Sequence, residues 1–242
     1  MKPSPFERPR GFTLLETVIA IGVLAVLLTG FMVVFAPAAA GIRKSINVQE
    51  LDRLSSTLEQ ELVTTRAGDT FNTGFEKAYK WIPDSSTTAA TNAILVYQYR
   101  GELGGTPRKD KTPNPVANTK NSLPGKDYIV IPMARRISDG EFKNDLKAIE
   151  GGIYLVKCTQ LVFATGATGG LILGTAGKIV DPKGSAAAVS GPDTYPEAVI
   201  AFSADFYTLP AKSDSFFTGG AFASAYTKAK TPVFSRNLAV RR

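Results

Sequence analysis

Arg10-Gly11-Phe12-Thr13-Leu14-Leu15-Glu16-Thr17-Val18-Ile19-Ala20 opens a run that carries no charge from Thr17 to Ile42, 26 positions dominated by Val, Ile, Leu, Ala and Phe. At about 1.5 Å of rise per residue, a helix of that length reaches on the order of 40 Å, enough to cross a bilayer core. After Ile42 the sequence turns polar and mixed, and no second run of this kind follows. The pattern predicts a single-pass membrane protein with one soluble domain. A cleaved secretory signal is the competing reading, because Lys2, Arg8 and Arg10 precede the run. The run exceeds the usual apolar region of about 7–15 residues, and Glu16 sits inside its leading edge. The same basic residues favour a cytoplasmic N-terminus, although Arg43 and Lys44 on the far flank make the charge difference modest.

Outward from the run, residues 43–66 continue as an amphipathic helix. Leu51, Leu54, Leu58 and Leu62 recur at three- and four-residue spacing, one apolar stripe that needs a core to face, while Arg53 and Gln60 lie opposite. Gly22 and Gly30 leave room for close approach of neighbouring helices, and Pro37 removes a backbone donor and is expected to kink or loosen the helix. Composition closes other possibilities. The 242 residues hold no histidine, which excludes histidine-dependent nucleophile pairs, zinc sites and general bases. A single cysteine, Cys158, excludes an internal disulfide and every CxxC motif, and reads as a small core residue. No catalytic constellation, cofactor motif or metal site emerges, so the chain reads as a non-enzyme.

The Gly11-Phe12 step with Glu16 at the fifth position from Phe12 resembles the leader of type IV pilins and type II secretion pseudopilins, and the resemblance extends to about residue 66. It implies a leader at 1–11, a membrane-spanning and assembly segment at 12–42, the amphipathic half-helix at 43–66 and a globular β domain at 67–242. It further implies cleavage by a prepilin peptidase between Gly11 and Phe12, N-methylation of Phe12, and assembly through Glu16 pairing with the N-terminal amine of a neighbouring subunit. A lone carboxylate in an apolar segment costs about 2.5–3.5 kcal/mol on insertion scales, which gives Glu16 reason to find such a partner. The partners implied are other pilin subunits, the peptidase, an inner-membrane assembly platform and membrane lipid, with the globular domain periplasmic, or extracellular once in a filament. The absence of a cysteine pair and the long globular domain point to a minor pilin or minor pseudopilin. A DNA-uptake or adhesion pilin, and a membrane-anchored periplasmic binding module, are the alternatives.

Past Arg66, short apolar runs divided by Gly, Pro, Ser and Asn predict strands at Ala93–Tyr99, Tyr128–Met133, Ile153–Phe163, Leu171–Val180, Ala198–Leu209 and Val233–Val240. Ile200, Phe202, Ala204 and Phe206 alternate with Ser203, Asp205 and Tyr207, a period of two with one buried face. Helical patterns do not alternate with these strands. The fold class is therefore α+β, an antiparallel sheet packed on the second half of the N-terminal helix, in agreement with the ladle shape the pilin resemblance implies. Gly101–Gly125 and Lys183–Pro196 read as long solvated loops. Asp181, Asp193 and Glu197 offer oxygen ligands for calcium but match no EF-hand spacing. Gly166–Gly170 lacks the Gly-Lys-Ser/Thr ending of a phosphate loop and reads as a hairpin turn. The net charge of +7 is modest and without a dense basic face, which argues against nucleic acid.

Overall fold

The computed structural model describes residues 13–118, 122–164, 169–184 and 189–242. The chain divides into two compact units, Met1–Gln49 and Glu50–Arg242. Helix α1 runs over Leu14–Val63 and continues through Pro37, so the proline does not end it. In the first unit, Leu14–Phe35 is long and apolar enough to cross a membrane, and none of it is buried by the chain itself.

The second unit is α+β. Its six strands are β1 (Ile94–Gly101), β2 (Ile129–Arg136), β3 (Ile149–Phe163), β4 (Leu171–Leu173), β5 (Val199–Thr208) and β6 (Phe234–Arg241). They form one antiparallel sheet in the order β2-β1-β3-β5-β6, with β4 paired to the far end of β3. Leu51, Leu54, Leu58 and Leu62 from the last turns of α1 are fully buried against Val96, Val156, Phe202 and Phe206 on one sheet face. The leucine stripe finds the core that its spacing calls for. Four such side chains contribute roughly 1.5–3 kcal/mol each.

Helix α2 (Gly74–Asp84) lies in the same layer. Thr73 caps it by accepting from the Glu76 N–H at 3.1 Å, and the Glu76 carboxylate accepts from the Asn72 N–H at 2.9 Å. Phe75, Ala78, Trp81 and Ile82 bury one face of the helix. Gly74 is required by close approach, since a Cβ there would stand 2.2 Å from the Val63 carbonyl oxygen. The Thr73-x-x-Glu76 signature and the apolar spacing of α2 are the local sequence signals of this helix.

The opposite sheet face is covered as well. Helices α3 (Gly140–Asp145), α4 (Asp214–Thr218) and α5 (Ala221–Lys228) bring Phe142, Phe216, Phe222 and Tyr226 onto Leu95, Tyr97, Ile153 and Leu155. This corrects the one-faced reading of β5: Ile200, Phe202, Ala204 and Phe206 share the first core, while Ser203 and Tyr207 on the other side are buried too. A strand whose second face carries Ser, Asp and Tyr looks solvated in sequence, and only the distant aromatic helices reveal that it is not.

Three boundaries differ from those expected. Helix α1 stops at Val63 rather than Arg66, and Arg66 folds back to bond Glu61 instead of extending the helix. The strand expected over Leu171–Val180 ends at Leu173, because a turn closes from Thr175 to Lys178 with Gly177 at φ +77°. Ile179 and Val180 are then buried without continuing β4. The 101–125 segment is not a wholly solvated excursion: Arg108, Asp110 and Thr112 point inward, and the Glu102 N–H and Val116 N–H pair with the Asn114 and Arg100 carbonyls. Of the turn read at Gly166–Gly170, residues 166–168 lie outside the described residues. The Ala164 N–H donates to the Gly170 carbonyl at the base of the hairpin.

Candidate functional site

Gly11 and Phe12, the two residues of the expected cleavage step, lie outside the described residues. The described segment begins at Thr13, whose hydroxyl accepts the Glu16 N–H at 3.2 Å and whose carbonyl accepts the Thr17 N–H at 3.2 Å. Thr13 thus caps α1, and Glu16 sits in its first turn, where the helix dipole favours a negative charge. Among the described residues the Glu16 carboxylate has no hydrogen-bond or ion-pair partner.

The surroundings of Glu16 explain why that matters. Leu14, Leu15, Val18 and Ile19 stand more than half exposed, and the exposed apolar surface continues to Phe35. The hydroxyls within this stretch are satisfied internally: Thr17 and Thr29 donate to the carbonyls of Thr13 and Ala25 at 3.3 and 2.8 Å. Gly22 and Gly30 have open space where a Cβ would stand. The segment therefore combines a bare apolar surface, satisfied hydroxyls and one acid, unpaired among the described residues, one turn into the helix. Such a surface belongs in lipid or against other apolar helices, and the acid calls for a cation there.

The second unit holds two buried ionic clusters that no spacing in the sequence predicts. In the first, Arg135 donates to Asp145, Asp139 and Asp110 at 3.0, 2.8 and 2.6 Å, and Arg108 donates to Asp145 and Glu141 at 2.8 and 3.0 Å. The Tyr97 hydroxyl donates to Asp145 at 2.6 Å. Burial pushes the Asp110 carboxyl up, but hydrogen bonds from Thr112 and Arg135 outweigh it and hold the group down at about 2. In the second cluster the buried Lys77 ammonium donates to Glu61 at 2.6 Å, to the Thr64 carbonyl at 2.9 Å and to Asp69 at 3.3 Å, and lies 4.6 Å from the centre of the Trp81 ring. These groups fasten loops to the sheet. The first cluster pins the 108–112 turn to β2 and α3, and the second closes the bend between α1 and α2.

The residues weighed for calcium serve other ends. Asp181 accepts the Lys183 N–H at 2.9 Å, Glu197 pairs with the Lys183 ammonium at 2.7 Å, and Asp193 lies in the short turn Pro192–Thr194. Among the described residues no group of three or more acidic or sulfur ligands is assembled that could hold a metal. Cys158 is fully buried, and burial pushes its thiol up to about 12.

Residues 8–32 match the family described as the prokaryotic N-terminal methylation motif. Comparisons with the curated proteins and with the solved structures return no match.

Proposed function

We propose, on the premise that this is a type IV pilin-like chain carrying the N-terminal methylation motif, that it is a minor pilin or minor pseudopilin, a structural subunit of a type IV pilus or a type II secretion pseudopilus. The observation that carries the reading is Glu16, an acid without a partner among the described residues, one turn into a bare apolar helix and four residues beyond Phe12. Residues 1–11 are the leader. Prepilin peptidase cuts after Gly11, a residue whose lack of a side chain suits a narrow peptidase site. The new amine on Phe12 is methylated and remains cationic. Residues 12–42 hold the subunit in the inner membrane, 43–66 join that segment to the globular part, and 67–242 form a domain on the periplasmic side.

Assembly follows from the electrostatics of the two groups. A cation at Phe12 and an anion at Glu16 are each costly in a low-dielectric medium, and pairing between adjacent subunits relieves both charges at once. An assembly platform then passes subunits from lipid into the filament, where helix-to-helix contact replaces helix-to-lipid contact without a net loss of apolar burial.

N-terminal sequencing and intact mass of membrane-extracted protein test the reading. The expected result is a mature chain beginning at N-methylated Phe12. An N-terminus at Met1, or one within 38–41, refutes it in favour of a plain anchor or a secretory signal.

A further inference from the structure

Helix α5 carries two apolar faces side by side. Phe222 and Tyr226 enter the second core, while Ala221 and Ala225, one turn apart, share a neighbouring face that Ala229 extends just past the helix end. Because these three side chains are short, a pocket of about 560 Å³ opens between α5, Phe216 of α4 and the end of β5. That volume lies within the range of about 300–1,000 Å³ usual for ligand sites. Lys228 and Lys230 stand exposed on its rim, and among the described residues no acid lines it. Neither ammonium has a hydrogen-bond or ion-pair partner among those residues.

Two groups beneath the rim add to the surplus of donors. Tyr207, which lines the pocket, is only 8% exposed, yet its hydroxyl has no hydrogen-bond partner among the described residues. A side chain so deeply buried ordinarily has its polar atom bonded, so this hydroxyl is a donor that lacks an acceptor. The Lys157 ammonium lies 5.3 Å from the centre of the Tyr207 ring and donates to the carbonyls of Tyr226 and Ala229. It thereby offsets the negative end of α5, which would otherwise repel an anion. Asp205, its register partner on β5, instead accepts from the Ser235 hydroxyl at 2.6 Å. Burial pushes the Lys157 ammonium down, with no carboxylate to offset it.

We propose that this pocket binds an acidic segment of a partner polypeptide, an apolar side chain resting on the alanine floor and carboxylates meeting Lys228, Lys230 and the Tyr207 hydroxyl. The charge is complementary: three cations surround a concavity that no acid lines. An inorganic anion would satisfy the cations but leave the floor of Phe216, Ala221, Ala225 and Ala229 wet. A purely apolar ligand would strip water from two ammonium groups without replacing it. A chain that alternates acidic and apolar side chains meets both demands.

The test uses the full-length protein in uncharged detergent, labelled with carbon-13 at the alanine methyl groups. The probe is the peptide acetyl-Asp-Leu-Asp-amide, with acetyl-Asn-Leu-Asn-amide and inorganic phosphate as comparisons. The expected result is a saturable shift of the Ala221, Ala225 and Ala229 signals by the acidic peptide, severalfold weaker with either comparison. Lys228→Gln combined with Lys230→Gln should weaken binding roughly fivefold, and Tyr207→Phe about threefold, both at unchanged thermal midpoint. The Tyr207→Phe arm separates a hydrogen-bonded site from diffuse attraction to lysines. No saturable shift at millimolar peptide, equal binding of the Asn peptide, or undiminished affinity in the lysine variant overturns the proposal. Phosphate binding as tight as the peptide's also overturns it, since the site then takes a small anion. Leader cleavage and filament assembly do not enter this measurement, so its failure leaves the subunit reading untouched.

Discussion

Glu16 and Asp110 are both acids with a defined environment, and the two environments make opposite demands. Glu16 has no partner among the described residues and stands on an apolar helix, where a lone carboxylate is costly and a cation relieves it. Glu16→Ala and Glu16→Gln are expected to leave cleavage and membrane insertion intact while lowering the processed subunit's share in sheared or cross-linked filament material. Wild-type recovery of both variants in that fraction would rule out charge pairing. Asp110 is satisfied within the chain, and its folded-state value of about 2 lies below the usual value near 3.9. A depressed folded value contributes stability above the unfolded value, and that contribution is lost as pH falls from about 4 through about 2. After allowance for solvent screening it amounts to about 1 kcal/mol. Denaturant melts across this window should show the loss in the wild type and a flatter profile in Asp110→Asn.

At the scale of elements, α1 serves two masters. Its leucines at 51, 54, 58 and 62 are the lid of the first core, while its residues 14–35 bury nothing within the chain. Deleting residues 1–40 should therefore leave a folded, soluble domain. Deleting through Arg66 removes four buried leucines together with Glu61, the carboxylate that neutralises the buried Lys77. That second deletion should aggregate or melt at far lower temperature, and equal thermal midpoints for the two chains would show that the helix does not support the sheet. Helix α5 makes the matching contribution on the other face. Lys157 of β3 donates to the Tyr226 and Ala229 carbonyls at 2.9 and 3.2 Å, and the single Tyr226 O–H is shared between the Ser85 and Thr87 carbonyls, 2.7 and 2.6 Å away. The pair ties the C-terminal helix to the centre of the sheet and to the end of α2.

For the second unit as a whole, the two cores share every central strand, since Val96 and Val156 face one core while Leu95 and Leu155 face the other. Opening one face therefore releases the backbone that supports the other. Trp81, the sole tryptophan, reports from the first core. Phe222→Ala in the second core should cost about 3–4 kcal/mol, within the usual range for buried aromatic truncation. The Trp81 emission midpoint is expected to fall together with the far-ultraviolet circular dichroism midpoint. An unchanged Trp81 midpoint would mean that the two faces unfold independently.

The uncharged run from Thr17 to Ile42, the Gly11-Phe12-Glu16 spacing and the leucine stripe at 51–62 are local patterns, readable without knowing any neighbour. They determined the membrane-length helix, the methylation motif and the α+β pairing of a helix with a sheet, and short apolar runs divided by Gly, Pro, Ser and Asn located five of the six strands closely. The second core, the inward turn of Arg108 and Asp110, and the exposure of β4 were decided only by tertiary structure. Each depends on residues far apart in the chain, such as Lys157 with Tyr226, Arg108 with Asp145, or Gln160 with Val180. A charged side chain looks the same in sequence whether water or a guanidinium surrounds it. An apolar triplet such as Leu171-Ile172-Leu173 looks buried until the fold leaves it bare, because burial is a property of what the rest of the chain brings alongside.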